Sequence, residues 1–458
     1  TLLRLEEGDD FIIALSSLIK RLAVDHLHIV GDIFDRGERP DAILNMLMDH
    51  HSLDIEWGNH DILWMGAACG SQACIAAVVR NCLSYNNISV LEQGYGISLR
   101  PLVLFAEKMY DEEDPNKAAK KAISIILFKL EGQIIRRNPE YQMEDRLLLD
   151  KVDYENACIE LDDKSYPLKE KRFPTVDRDD PYKLSQAERE IMDELEKLFL
   201  ESEQLQRHVE FLYSRGSMYQ VFNGNLLFHG CVPLDEDGAL KAIHLEGRIY
   251  QGRSYMDYAD MAARRAFFSE DPPQRYLDFM WYLWCGPKSP VYGKDNMATF
   301  ENYFVADKAA AKENMNPYYK LSEKEEFCNK ILKEFGLPVE GSHIINGHVP
   351  VKLKDGESPI KGNGKLFVID GGLSKSYQPK TGIAGYTLIF NSHHLALAEH
   401  KPFDRNHENT PKVTIVEKMK KRVMVADTDT GKELAAKIAD LKELVAAYRG
   451  GIIKEKLE

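Results

Sequence analysis

At 458 residues, with 44% hydrophobic and 29% charged side chains, the chain has the composition of a globular protein and exceeds the size at which one core usually stops growing. Its formal net charge of −14 excludes a general nucleic-acid binder, which would carry a basic patch, yet permits an anionic small substrate if a metal ion supplies local positive charge. Seven cysteines, odd in number and without a CxxC pair, point to a reduced, cytoplasmic setting, and no run approaches the roughly 18 apolar residues of a membrane span.

Phe11, Ile12, Leu15, Leu18, Ile19 and Leu22 fall at the 3/4 spacing of an amphipathic helix over 10–22. Leu27-His28-Ile29-Val30 reads as a buried strand that stops at Gly31-Asp32, and Pro40 opens a second helix. Asp54-Ile55-Glu56-Trp57 is a further strand, ending at Gly58-Asn59-His60. Helix, strand, helix, strand with polar loops at strand carboxyl ends is an α/β layered pattern, and ligand sites lie at such ends. Residues 106–215 turn charged and helical in spacing, as an insertion would. Strand-like runs return at 220–222 and 226–229, within a core segment 216–245. An aromatic helical block, 246–338, contains Trp281 and Trp284, read as packing rather than as a sugar platform. The core resumes over 339–425 with runs at 343–348, 366–370 and 386–390. A tail, 426–458, places Leu434, Ile438, Leu441, Val445 and Tyr448 on one helical face, expected to dock on the body.

Three kinds of loop segment carry chemistry: Gly31 to Gly37 (GDIFDRG), Gly58 to Asp61 (GNHD), and two strand ends, Phe228-His229-Gly230 and Asn346-Gly347-His348. Each follows an apolar run, so the four could meet along one sheet edge. Carboxylate, imidazole and amide oxygen together suit borderline divalent ions, and two such ions can orient a phosphate and activate the attacking water. Arginine offers phosphate a planar fork, and a histidine oriented by a carboxylate can protonate a leaving oxygen.

In this order GDIFDRG, GNHD, FHG and NGH resemble the motif series of calcineurin-like metallophosphoesterases. The longer runs VDHLHIVGDIFDRG, WGNHDILWMGAACGS, EQGYGISLRPL, FHGCVPLDEDG, WYLWCGPKSP, IINGHVPVK and VIDGGLSKSYQPKTGIAGYTL are similar to bacterial class III fructose-1,6-bisphosphatases from about residue 10 to residue 390. The resemblance implies an α/β fold with a central β-sandwich flanked by helices, the two helical blocks being insertions. It implies hydrolysis of the 1-phosphate of fructose 1,6-bisphosphate in gluconeogenesis, by a metal-activated hydroxide and with manganese as the usual ion. Asp32 would bridge the metals, and Asn59, His229 and His348 would complete one ion's ligands. His60 would be the general acid, Asp35 its orienting partner and Arg36 a phosphate ligand. The family's opening Asp-x-His motif is not found before Gly31; Asp25-His26 and His28 come nearest but lack its pattern. From this and the lack of an initiator Met, the residues 1–105 are expected to lack an N-terminal piece, with at most one ion held by this chain.

Two other functions stay open on sequence: another metallophosphoesterase, such as a protein Ser/Thr phosphatase, and a non-catalytic protein binding one metal. The expected partner is a small sugar bisphosphate, with neither nucleic acid nor membrane, and homo-oligomers are compatible. Lys352, Lys375 and Lys380 could hold the sugar's second phosphate, although a solvated charged face is the stronger reading. His50-His51 and His393-His394 read as exposed loop or helix-end residues, and Cys69 as a small core residue.

Overall fold

The computed structural model describes residues 8–453 apart from Gly371, Ala384 and His407. The β-branched run at Leu27–Ile29 forms a strand that pairs in parallel with Leu53–Glu56, His28 opposite Asp54. Leu53–Glu56 in turn pairs in parallel with Gly216–Ser217, giving a three-stranded sheet. A second, five-stranded sheet has the order Ile360–Lys361, Leu366–Val368, Ile344–Asn346, Asn225–Phe228, Tyr219–Phe222. Its three central strands are parallel, with Ile344 beside both Leu226 and Leu366, and its two edge strands are antiparallel. Fully parallel neighbours need burial on both faces, and Asn225–Phe228 is buried at every position.

The two sheets meet through apolar side chains: Val30, beyond the end of the first strand, packs with Leu227, Ile345 and Phe367. The mixed α/β architecture anticipated from the sequence is therefore present. The four motif-bearing ends do converge, but from two sheets rather than along one edge.

Helix Asn59–Ala68 follows the first sheet directly and is buried at every position except His60. Its sequence is apolar on all sides, which fits a helix enclosed by others; one polar position is left facing outward at the motif. Between 106 and 215 lie the helices Pro115–Arg137, Gln186–Glu201 and Glu203–Arg215, together with a small antiparallel sheet over Val152–Asp153, Cys158–Leu161 and Lys164–Pro167. Ser185 caps the second of these helices by accepting the Glu188 N–H, while Glu188 returns a bond to the Ser185 N–H and pairs with the buried Lys129 at 2.7 Å.

Two expectations need correction, the docking of the tail and the place of His394. Helix Gly8–Ala23 forms as anticipated and buries none of its apolar residues against the described body. Helix Asp429–Arg449 likewise leaves Leu434, Ile438, Leu441, Val445 and Tyr448 exposed, so the expected docking of the tail is not seen. Among the described residues it is fastened at its start, where the Asn223 and Asp429 side chains each accept the other's backbone N–H. An apolar stripe specifies a helix, whereas docking also needs a complementary surface within reach. His394 also departs from the loop or helix-end reading, since it begins the strand His394–His400.

Candidate active site

Asp32, three residues past a strand end, adopts a left-handed backbone (φ 58°), as do Arg36 (φ 52°) and His348 (φ 67°). Such conformations cost non-glycine residues about 1–3 kcal/mol each, and they cluster where side chains must be aimed. Asp61 holds the Asp32 turn from beneath. Its Oδ2 accepts the N–H of Asp32 at 2.7 Å and of Gly58 at 3.0 Å, and its Oδ1 accepts that of Phe34 at 3.3 Å. The two loops approach so closely that a Cβ on Gly58 would lie 2.1 Å from Asp32 Oδ1 and 2.4 Å from the Asp32 backbone nitrogen. One on Gly31 would lie 2.3 Å from the Glu56 carbonyl oxygen. Both glycines are therefore required by contact between backbones.

The histidines are oriented by main-chain carbonyls. His229 donates through Nδ1 to the Val30 oxygen at 2.6 Å, and His348 through Nε2 to the Tyr292 oxygen at 2.7 Å. Those bonds turn His229 Nε2 and His348 Nδ1 toward each other, 3.1 Å apart, with Asp32 Oδ2 3.2 Å from His229 Nε2. Three lone-pair-bearing atoms thus converge on one point, and only a proton or a cation satisfies them. Buried Asn59 Oδ1 has no hydrogen-bond partner, which is the state of an amide oxygen kept for a metal. Carboxylate, amide oxygen and two imidazoles form a donor set that fits a divalent ion.

Burial works against the charged Asp32 carboxylate, but His229, then His60 and His348, overcome it and hold the group well below the usual range. Burial likewise opposes charge on His229; the Asp32 carboxylate outweighs it and raises the imidazole to about 9. His348, buried and beside that cation, falls to about 3. Without a metal, one proton on His229 therefore occupies the convergence point.

On the other side of Asp32, whose Oδ1 accepts the His60 N–H at 3.0 Å, His60 Nε2 lies 3.0 Å from Asp35 Oδ1. This contact is off the line of a hydrogen bond, since Asp35 Oδ1 has no bonded partner. Arg36 Nε is 3.5 Å from the same oxygen, and the guanidinium lies between the rings of Tyr85 and Tyr377, 4.4 and 4.5 Å from their centroids. Stacking on both faces fixes the plane of the fork. Trp284 meets His60 edge to face at 5.0 Å.

Six of the seven core candidates from the sequence (Asp32, Asp35, Arg36, His60, His229, His348) are joined by direct contacts, and Asn59 precedes His60 at the start of the same helix. Lys352, Lys375 and Lys380 are exposed, the last two flanking Tyr377 in sequence. His26 and His28 turn instead to Asp54, at 3.0 and 2.5 Å. Sequence reasoning assigned nothing to Asp61, Tyr85, Tyr377 or Asp370, and read Trp284 as packing alone. Asp370 is raised to about 6, mainly by burial, with Asp32 and Asp35 adding to the effect against the Gly372 N–H it accepts. Asp61 is also raised to about 6, by burial and then by Asp32. The signals that could have found them were the Asp closing GNHD and the Asp ending the apolar run 366–370.

A family model described as Firmicute fructose-1,6-bisphosphatase matches residues 1–450. The class 3 fructose-1,6-bisphosphatase of Clostridium botulinum (strain Kyoto / Type A2) is 50% identical over all of this chain and 73% of its own length. Those of Clostridium novyi and Alkaliphilus metalliredigens are 51% and 49% identical with the same coverage. No solved structure matches the chain significantly.

Proposed function

The chain belongs to the Firmicute fructose-1,6-bisphosphatase family, and from that premise we propose how its residues hydrolyse the 1-phosphate of D-fructose 1,6-bisphosphate. The products are fructose 6-phosphate and inorganic phosphate, the direction of gluconeogenesis. The convergence of Asp32, His229 and His348, together with the buried, unpartnered Asn59 oxygen, carries this reading.

One divalent cation, manganese in this proposal, would be held by Asp32, Asn59, His229 and His348, where it would neutralise phosphate charge and lower the pKa of a water. Every other part belongs to the chain. Arg36, fixed between two tyrosines, presents its fork to the phosphate oxygens. His60, within reach of Asp35, delivers a proton to the departing sugar oxygen. Asp61 fixes the Asp32 turn, and Trp284 limits the ring positions open to His60. The proposal involves no phospho-cysteine: all seven cysteines are free thiols, and none is exposed.

The two sheets are proposed as the halves of a metallophosphoesterase β-sandwich. The segments 106–215 and 246–338 are proposed as insertions in it, with core at 1–105, 216–245 and 339–425 and a tail from 426. Among the described residues no helix is long and apolar enough to cross a membrane, and a cytoplasmic location is proposed. The test compares phosphate release from fructose 1,6-bisphosphate with release from a phosphoserine peptide under manganese loading. Equal or reversed preference would transfer the site to a protein phosphatase.

A further inference from the structure

Several of the basic side chains shielded from solvent in the helical region beside the site are neutralised. Lys121 pairs with Glu112 and Glu170, Lys129 with Glu188, and Arg146 with Glu301. Arg80 and Lys120 differ. Neither makes an ion pair among the described residues, and Arg80 Nε is buried without a hydrogen-bond partner. The two cations share one aromatic ring: the Arg80 guanidinium lies 6.0 Å and the Lys120 ammonium 5.1 Å from the centroid of Tyr303.

Placing two like charges in a half-buried site costs free energy unless an anion joins them. Burial lowers the pKa of Arg80, and burial followed by the Arg80 charge lowers that of Lys120. The carboxyl facing Arg80 is Glu131, which accepts the Trp281 N–H at 3.3 Å. Burial pushes it up to about 7, so near neutral pH it is only partly ionised and neutralises the pair incompletely.

The position relative to the active site is set by helix Gln72–Tyr85. Its C-terminal Tyr85 is one of the two rings on Arg36, and its Asn81 and Cys82 line the small cleft that also contains Arg36 and His60. Arg80 precedes Tyr85 by five residues, about 7.5 Å along the helix axis. A hexose with a phosphate at each end spans such a distance.

We propose that Arg80 and Lys120, which share the ring of Tyr303, bind a phosphate monoester, and that in catalysis this is the phosphate of the sugar bisphosphate that is not cleaved. The proposal rests on the hydrolase reading for its substrate but not for its anion. Arginine would give the phosphate paired donors and lysine a point charge. This subsite is distinct from the exposed Lys352, Lys375 and Lys380.

Two measurements test it on the metal-loaded protein. In Arg80→Gln and in Lys120→Gln, the ratio of kcat/KM for fructose 1,6-bisphosphate to that for p-nitrophenyl phosphate, which has no second phosphate, should fall about tenfold or more. An unchanged ratio overturns the substrate role, whether both activities persist or both collapse. Calorimetric binding of fructose 6-phosphate, which carries only the distal phosphate, should weaken by a similar factor in Arg80→Gln on a His60→Ala background. Because that measurement needs no turnover, failure of the hydrolase reading would not remove it. Unchanged fructose 6-phosphate affinity would overturn the anion site itself. Weakened affinity with an unchanged kcat/KM ratio would assign the site to a free phosphorylated metabolite and overturn its assignment to substrate.

Discussion

At pH 7.5, binding of Mn2+ should release close to one proton, and that proton comes from His229. With its pKa at about 9, the metal-free imidazole is almost wholly protonated at this pH. His348, at about 3, is already neutral, while Asp61 and Asp370, at about 6, are already mostly ionised. The raised pKa means that the competing proton is fully bound below about 9 and lost above it. Metal affinity should therefore climb about tenfold per pH unit from pH 7 and level off above the His229 pKa. From pH 7 to that plateau the difference is roughly 100-fold, or about 2.7 kcal/mol at 1.36 kcal/mol per unit. Calorimetric titration in buffers of different ionisation enthalpy counts the proton directly. An imidazole at its ordinary value of about 6.5 would release only about a tenth of a proton at pH 7.5. A count that low, or affinity flat between pH 7 and 9, would refute the geometry in which Asp32 and His348 share the His229 proton.

Other expectations follow from the same contacts. His60→Ala should retain bound metal and lose turnover by about 10²- to 10⁴-fold, checked by elemental analysis beside phosphate release. Gly58→Ala places a Cβ 2.1 Å from Asp32 Oδ1, so the turn must move; weaker metal binding and about 1–3 kcal/mol of lost stability should appear in metal titration and urea melts. Glu188→Ala leaves the buried Lys129 ammonium without its carboxylate and should cost about 3–5 kcal/mol in the same melts. The double change Lys129→Met with Glu188→Leu should recover most of that loss, because no charge is left buried.

Much of the candidate site was legible because each motif ends an apolar run, and such runs form strands whether or not their neighbours are known. Pro40 marked the first turn of its helix for a similarly local reason. Less local features were not legible. The Asp61 carboxyl matters through bonds to Asp32 and Phe34, residues 29 and 27 positions away, and no spacing rule reports such a contact. His394–His400, with Leu-Ala-Leu-Ala-Glu in sequence, has helical propensity yet lies between two antiparallel strands, where pairing overrides it. The four-residue strands Cys158–Leu161 and Lys164–Pro167 are too short to show a period inside a charged stretch. Trp284 looked like packing because eight other positions of its helix, Tyr276 and those from Asp278 to Cys285, are buried with it; its contact with His60 depends on a partner 224 residues away.

The central claim is that Asp32, Asn59, His229 and His348 form the metal site of a sugar-bisphosphate phosphatase. Its most direct test is phosphate release from fructose 1,6-bisphosphate by the manganese-loaded protein, with the sugar product identified. The account predicts stoichiometric fructose 6-phosphate, and no product from an Asp32→Asn, His229→Ala double variant that remains folded. Undiminished turnover in that variant, or fructose 1-phosphate as the product, would contradict it.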